Sequence, residues 1–170
     1  MGDCPHDVSE MDFFRRCTAQ LGRLHPAAFV YVVLILTYGV LMPLIYLDSL
    51  QPHEALHIEG GPSNMPAFGL ARRLVLGSFV VPAIETAMFQ WLPLRLLRNG
   101  LKLPSWAAIA ISAALFGAAH GYSSGYVVFT FMVGLVLAWA FVARDYDGGR
   151  AYLWVGVVHA LRNAVSALLM

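Results

Sequence analysis

Apolar residues run along this chain in long blocks, about 27–47, 74–94, 104–120, 126–143 and 151–170, separated by short polar clusters. The blocks 27–47 and 126–143 contain no Asp, Glu, Lys or Arg. About 20 apolar residues in a helix, rising 1.5 Å each, cover the ~30 Å hydrocarbon core of a bilayer. The pattern predicts an all-α fold, a polytopic integral membrane helical bundle with about five transmembrane helices. The separators are rich in charge or turn residues: Asp48 to Pro66, Arg95 to Pro104, Gly121 to Gly125 and Arg144 to Arg150. No internal repeat or low-complexity segment is visible. Residues 1–26 read as a polar cytoplasmic N-terminal segment, followed by one membrane-embedded domain over 27–170.

Composition agrees with this pattern. Of 170 residues, 59% are hydrophobic and 12% charged, about half the charged fraction of an ordinary soluble domain. Mean hydropathy is +0.66 and formal net charge +1. A soluble enzyme, a disordered regulator and a nucleic-acid binder driven by basic charge are all poor fits. Cys4 and Cys17 both lie in the polar N-terminal stretch and could close one local loop at most. The first apolar block starts too late and runs too long for a cleavable leader, and no lipidation signal precedes it.

Charge placement sets an expected orientation. With the N-terminus cytoplasmic, Arg15, Arg16, Arg23, Arg95, Arg98, Lys102, Arg144 and Arg150 fall inside, against Arg72 and Arg73 outside. Five spans then put the C-terminus outside. The expected location is the inner membrane of a bacterial-type cell.

The polar residues within the blocks carry the candidate chemistry. Glu85 lies about 16 Å along the second block, at mid-bilayer depth, where an ionisable group is costly and by default functional. Pro82, one turn earlier, breaks a backbone hydrogen bond and predicts a kink beside the carboxylate. His120 closes the third block. The fifth carries His159 and Asn163, four residues apart and therefore on one helix face. Three spans thus each present a group suited to proton transfer or oxyanion binding. Counted from the inner ends, His159, Asn163 and His120 stand at about 12, 18 and 24 Å, so the third helix must tilt or sit deeper for them to meet.

These residues resemble the motifs of the CPBP (CAAX protease and bacteriocin-processing) family of glutamic-type intramembrane proteases, which includes the Rce1-like prenyl-protein endopeptidases. The family's Glu-Glu-x-x-x-Arg motif, often with Phe before the Arg, is similar to Glu85-Thr86-Ala87-Met88-Phe89-Gln90. Its Phe-x-x-x-His is matched by Phe116 to His120, and its His-x-x-x-Asn by His159 to Asn163. The resemblance covers about residues 70–170, with the catalytic motifs in 74–170. It implies that Glu85 with His120 activates a water, that His159 and Asn163 bind the developing oxyanion, and that no cofactor is needed. The implied partner is a membrane-anchored peptide or protein substrate, cut at a C-terminal tail or prepeptide, with the lipid bilayer around it and no nucleic acid. Two positions depart from the family. Thr86 replaces the second Glu and Gln90 the Arg, so an ion pair along the helix becomes, on this reading, a neutral hydrogen-bonded pair. Arg162, about 60° round the helix from His159, is a candidate for the missing cation; otherwise it snorkels to the outer interface.

A second pattern competes. His53-Glu54-Ala55-Leu56-His57 matches the zincin arrangement, two His one helical turn apart with a Glu to activate water, and makes zinc the alternative cofactor. Pro52 and Gly60-Gly61-Pro62 leave barely two helical turns around it. The rival functions are a non-catalytic binding or immunity-type member of the same fold, and a small proton-coupled transporter. A transporter is expected to show paired half-repeats, and none is visible. Trp91, Trp106, Trp139 and Trp154 lie toward block ends as interfacial anchors.

Overall fold

The computed structural model describes residues 6–50 and 69–169, and within them the chain consists of helices joined by turns. Seven helical stretches follow in order: α1 (His6–Arg23), α2 (Pro26–Gly39), α3 (Met42–Ser49), α4 (Leu70–Gly100), α5 (Ser105–Ala118), α6 (Ser124–Arg144) and α7 (Ala151–Leu169). The protein is an integral membrane helical bundle.

Among the described residues, four helical stretches are long and apolar enough to cross a bilayer: Pro26–Leu47, Leu70–Gly100, Ser124–Arg144 and Ala151–Leu169. The expected third span, 104–120, is a shorter helix than the other four. Helix α5 has 14 residues, about 21 Å of rise. It ends at Ala118, where the His120 N–H bonds back to the Gly117 carbonyl at 3.0 Å and tightens the last turn. The polar N-terminal segment is also more ordered than its composition suggests. Helix α1 packs along α6, where the Trp139 indole N–H donates to Thr18 Oγ1 at 2.9 Å, and Leu21 is 5% exposed.

Small residues set how closely the central pair, α5 and α6, can approach. A Cβ at Gly134 would lie 3.1 Å from Ala113 Cα, and one at Gly117 would lie 3.0 Å from both the Val127 carbonyl and Phe131 Cβ. Glycine at both positions lets backbone meet backbone, as in tightly packed membrane helices. Phe29, Val33, Leu137, Ala138, Phe141, Val155 and Val158 fill the core between α2, α6 and α7 with essentially no exposure. Beneath it, buried Arg144 lies over the Phe29 ring at 4.5 Å and donates to the Leu24 carbonyl. Tyr146 Oη donates to the Gly22 carbonyl at 2.9 Å. Asp145 accepts from Arg95 at 3.2 Å and Arg98 at 2.7 Å.

Helix α4 is the irregular element. Its turns widen to π geometry over Arg73–Val80, Thr86–Trp91 and Leu96–Gly100, and return to α geometry over Val81–Glu85 and Leu92–Arg95. The first two wide stretches lie just before Pro82 and Pro93. A proline ring clashes with the carbonyl four residues earlier and has no N–H to give it, and widening the turn relieves that clash. The kink expected from Pro82 therefore takes the form of a π segment on either side of Glu85.

Candidate active site

Glu85 lies on the last α turn before the second π segment, with its side chain 19% exposed. Its carboxylate stands between two imidazoles carried by other helices. Oε1 is 3.4 Å from His120 Nε2, and Oε2 is 3.3 Å from His159 Nε2. The two imidazoles thus meet one carboxylate despite the unequal depths counted along the sequence. Phe116, 3% exposed, floors the cluster, its ring 4.5 Å from His120 and 5.6 Å from His159, with Phe89 at 5.7 Å beyond it.

The outer nitrogens of the two imidazoles have different partners. His120 Nδ1 is 2.7 Å from the Phe116 carbonyl. A carbonyl only accepts, so Nδ1 carries the hydrogen, and a neutral His120 turns its Nε2 lone pair toward Glu85. Close approach there requires a proton on one of the two groups. His159 Nδ1 is 3.3 Å from Thr86 Oγ1. A hydroxyl can donate, which leaves Nε2–H of a neutral His159 pointing at Glu85 Oε2.

A family model described as type II CAAX prenyl endopeptidase, Rce1-like, matches residues 67–165, the stretch that contains all of these residues. The chain belongs to the Rce1-like family. The family-level activity is that of a CAAX-type intramembrane protease. No curated protein and no solved structure matches the chain.

In this Rce1-like protein Asn163 lies one turn beyond His159 and donates Nδ2–H to the Gly77 carbonyl at 3.1 Å. Pro82 accounts for that bond. The Val81 N–H bonds to the Leu76 carbonyl, five residues back, so in the same register the Gly77 carbonyl faces the nitrogen of Pro82, which has no hydrogen. Asn163 supplies the missing donor and keeps a second amide N–H. Ser112, 0% exposed on α5, donates to another backbone carbonyl of α4, that of Phe89.

The expected Thr86–Gln90 pair does not form. Both side chains are buried, but the Thr86 hydroxyl reaches His159, and neither Gln90 Oε1 nor Nε2 has a hydrogen-bond partner among the described residues. The expectation assumed α geometry, whereas 86–91 is a π segment. Arg162 makes no hydrogen bond to Gln90. It is 8% exposed, with its guanidinium 5.1 Å from the Phe129 ring centre and 5.8 Å from that of Tyr38.

Tyr126, Tyr38, Phe129, Ser112 and Gly77 carried no sequence signal that marked them. The Tyr126 ring is 6.0 Å from His120 and stacks on Phe129 at 5.7 Å. Tyr38 Oη donates to the Arg162 carbonyl at 3.2 Å. The zinc alternative rested on His53, Glu54 and His57, which lie outside the described residues.

Proposed function

We propose that this protein is an intramembrane endopeptidase in which Glu85 activates a water to hydrolyse a peptide bond in a membrane-anchored substrate, at a C-terminal tail or a prepeptide. The observation that carries the reading is the Glu85 carboxylate held between His120 Nε2 and His159 Nε2, at 3.4 and 3.3 Å. Glu85 takes a proton from the water as its oxygen bonds to the scissile carbonyl carbon. His120, with its Nε2 lone pair facing that carboxylate, shares the proton and returns it to the departing amine as the C–N bond breaks. Nε2–H of His159 and the second amide N–H of Asn163 stabilise the negative charge on the former carbonyl oxygen. Thr86 orients His159, and the rings of Phe89 and Phe116 keep the site apolar, so those donors act in a low dielectric. Neither step calls for a metal.

In this reading the domain occupies residues 27–170 of an inner-membrane protein with a cytoplasmic N-terminus. The test is cleavage of lipid-anchored peptides by the reconstituted protein, with and without chelator. Glu85→Gln and His120→Ala are each expected to slow turnover by about 10²–10⁴-fold, and His159→Ala by about 10²–10³-fold. Cleavage that survives all three substitutions refutes the mechanism. Loss of cleavage on chelation, together with dependence on His53 and His57, would move the chemistry to zinc.

A further inference from the structure

Arg162 is a buried cation whose electrostatic demand is unmet. It is 8% exposed, its Nε is sealed from solvent and unpaired, and among the described residues no carboxylate or hydrogen-bond acceptor engages its guanidinium. Two aromatic faces, Phe129 at 5.1 Å and Tyr38 at 5.8 Å, are its nearest compensation. Cation–π contacts of this kind contribute about 0.5–2 kcal/mol each, against several kcal/mol to remove a charge from water. An arginine also cannot escape by losing its proton.

The demand lies beside the site. Arg162 is on the same helix as His159 and Asn163, and it is close enough to act electrostatically on both His120 and His159. A continuous row of rings, from Phe129 to Tyr126 to His120 at 5.7 and 6.0 Å, links the guanidinium to the imidazole. We infer that Arg162 is a substrate-binding residue that receives a carboxylate of the peptide held at Glu85. A guanidinium presents paired donors in the plane of a carboxylate, so the match is geometric as well as electrostatic. The inference rests on the hydrolytic reading for its substrate. The carboxylate is either the end of the chain or an acidic side chain.

Binding tests it without turnover. The Glu85→Gln protein in nanodiscs is titrated with three fluorescent lipid-anchored peptides of otherwise uncharged sequence: one ending in a free carboxylate, one in an amide, and one amidated with a single internal Asp. The free-carboxylate or the Asp peptide is expected to bind at least about 10-fold tighter than the plain amide, and whichever does identifies the source. Arg162→Gln abolishes the difference while leaving the amide peptide's affinity unchanged, and Arg162→Lys retains part of it. Equal binding of all three peptides, a preference that persists in Arg162→Gln, or no binding of either carboxylate peptide overturns the inference. If carboxylate-dependent binding holds while the protein with Glu85 intact cleaves nothing, the hydrolytic reading fails and the binding site stands.

Discussion

Pro82 and Asn163 form a pair whose coupling can be measured. Asn163→Ala removes the donor to the Gly77 carbonyl, 3.1 Å away. Interhelical hydrogen bonds in membranes average about 0.6 kcal/mol, and a buried acceptor left without a donor costs about 1–3 kcal/mol. Both residues here are part-buried, so a loss of about 0.5–2 kcal/mol is expected. Pro82→Ala changes the balance by restoring a backbone N–H. In the π register the new N–H of residue 82 meets the Gly77 carbonyl; if the helix relaxes to α geometry, the Val81 N–H meets it instead. Either way Gly77 acquires a backbone partner and the Asn163 amide becomes dispensable for stability. In a double-mutant cycle, the cost of Asn163→Ala should fall to near zero in the Pro82→Ala background. Unfolding in mixed micelles with increasing SDS, followed by tryptophan fluorescence, reads all four proteins without reference to activity. Equal costs in the two backgrounds would refute the argument that proline created the bond.

Two other substitutions probe the site. Thr86→Val keeps the shape and removes the hydroxyl that holds His159 Nδ1; turnover should fall by about 10-fold or more with little change in KM, and Thr86→Ser should recover most of it. Gln90→Met removes a buried amide that has no partner among the described residues and is expected to leave unfolding unchanged or raise stability by about 1 kcal/mol; a loss larger than that would mean the amide is satisfied.

Much of the bundle was legible because its charges cluster at helix ends, so the blocks around 27–47, 126–143 and 151–170 coincide with spans. The third block, 104–120, coincides with the 14-residue α5, an apolar helix shorter than the four long spans. Helix α1 was hidden by its mean polarity, although Phe14, Cys17, Leu21 and Leu24 recur at helical spacing. Within the site, ordered motifs identified Glu85, His120 and His159, which the fold brings together. What failed was an assumption of regular geometry: the Thr86–Gln90 pair was drawn on an α-helix, and prolines four residues before Thr86 and three after Gln90 change the register there. The surroundings of Arg162 were not legible, because its partner rings come from Tyr38 and Phe129 on two other helices.

Two backbone carbonyls of α4 also determine how three helices are aligned. The Gly77 carbonyl is bound by Asn163, on the helix that carries His159, and the Phe89 carbonyl by Ser112, on the helix that carries His120. Each histidine-bearing helix is therefore fastened to the glutamate-bearing helix through one of its backbone carbonyls. Sliding either helix by one residue displaces it by about 1.5 Å, enough to break its fastening. These two bonds thus act as alignment marks, fixing along the helix axes the height at which one carboxylate meets two imidazoles.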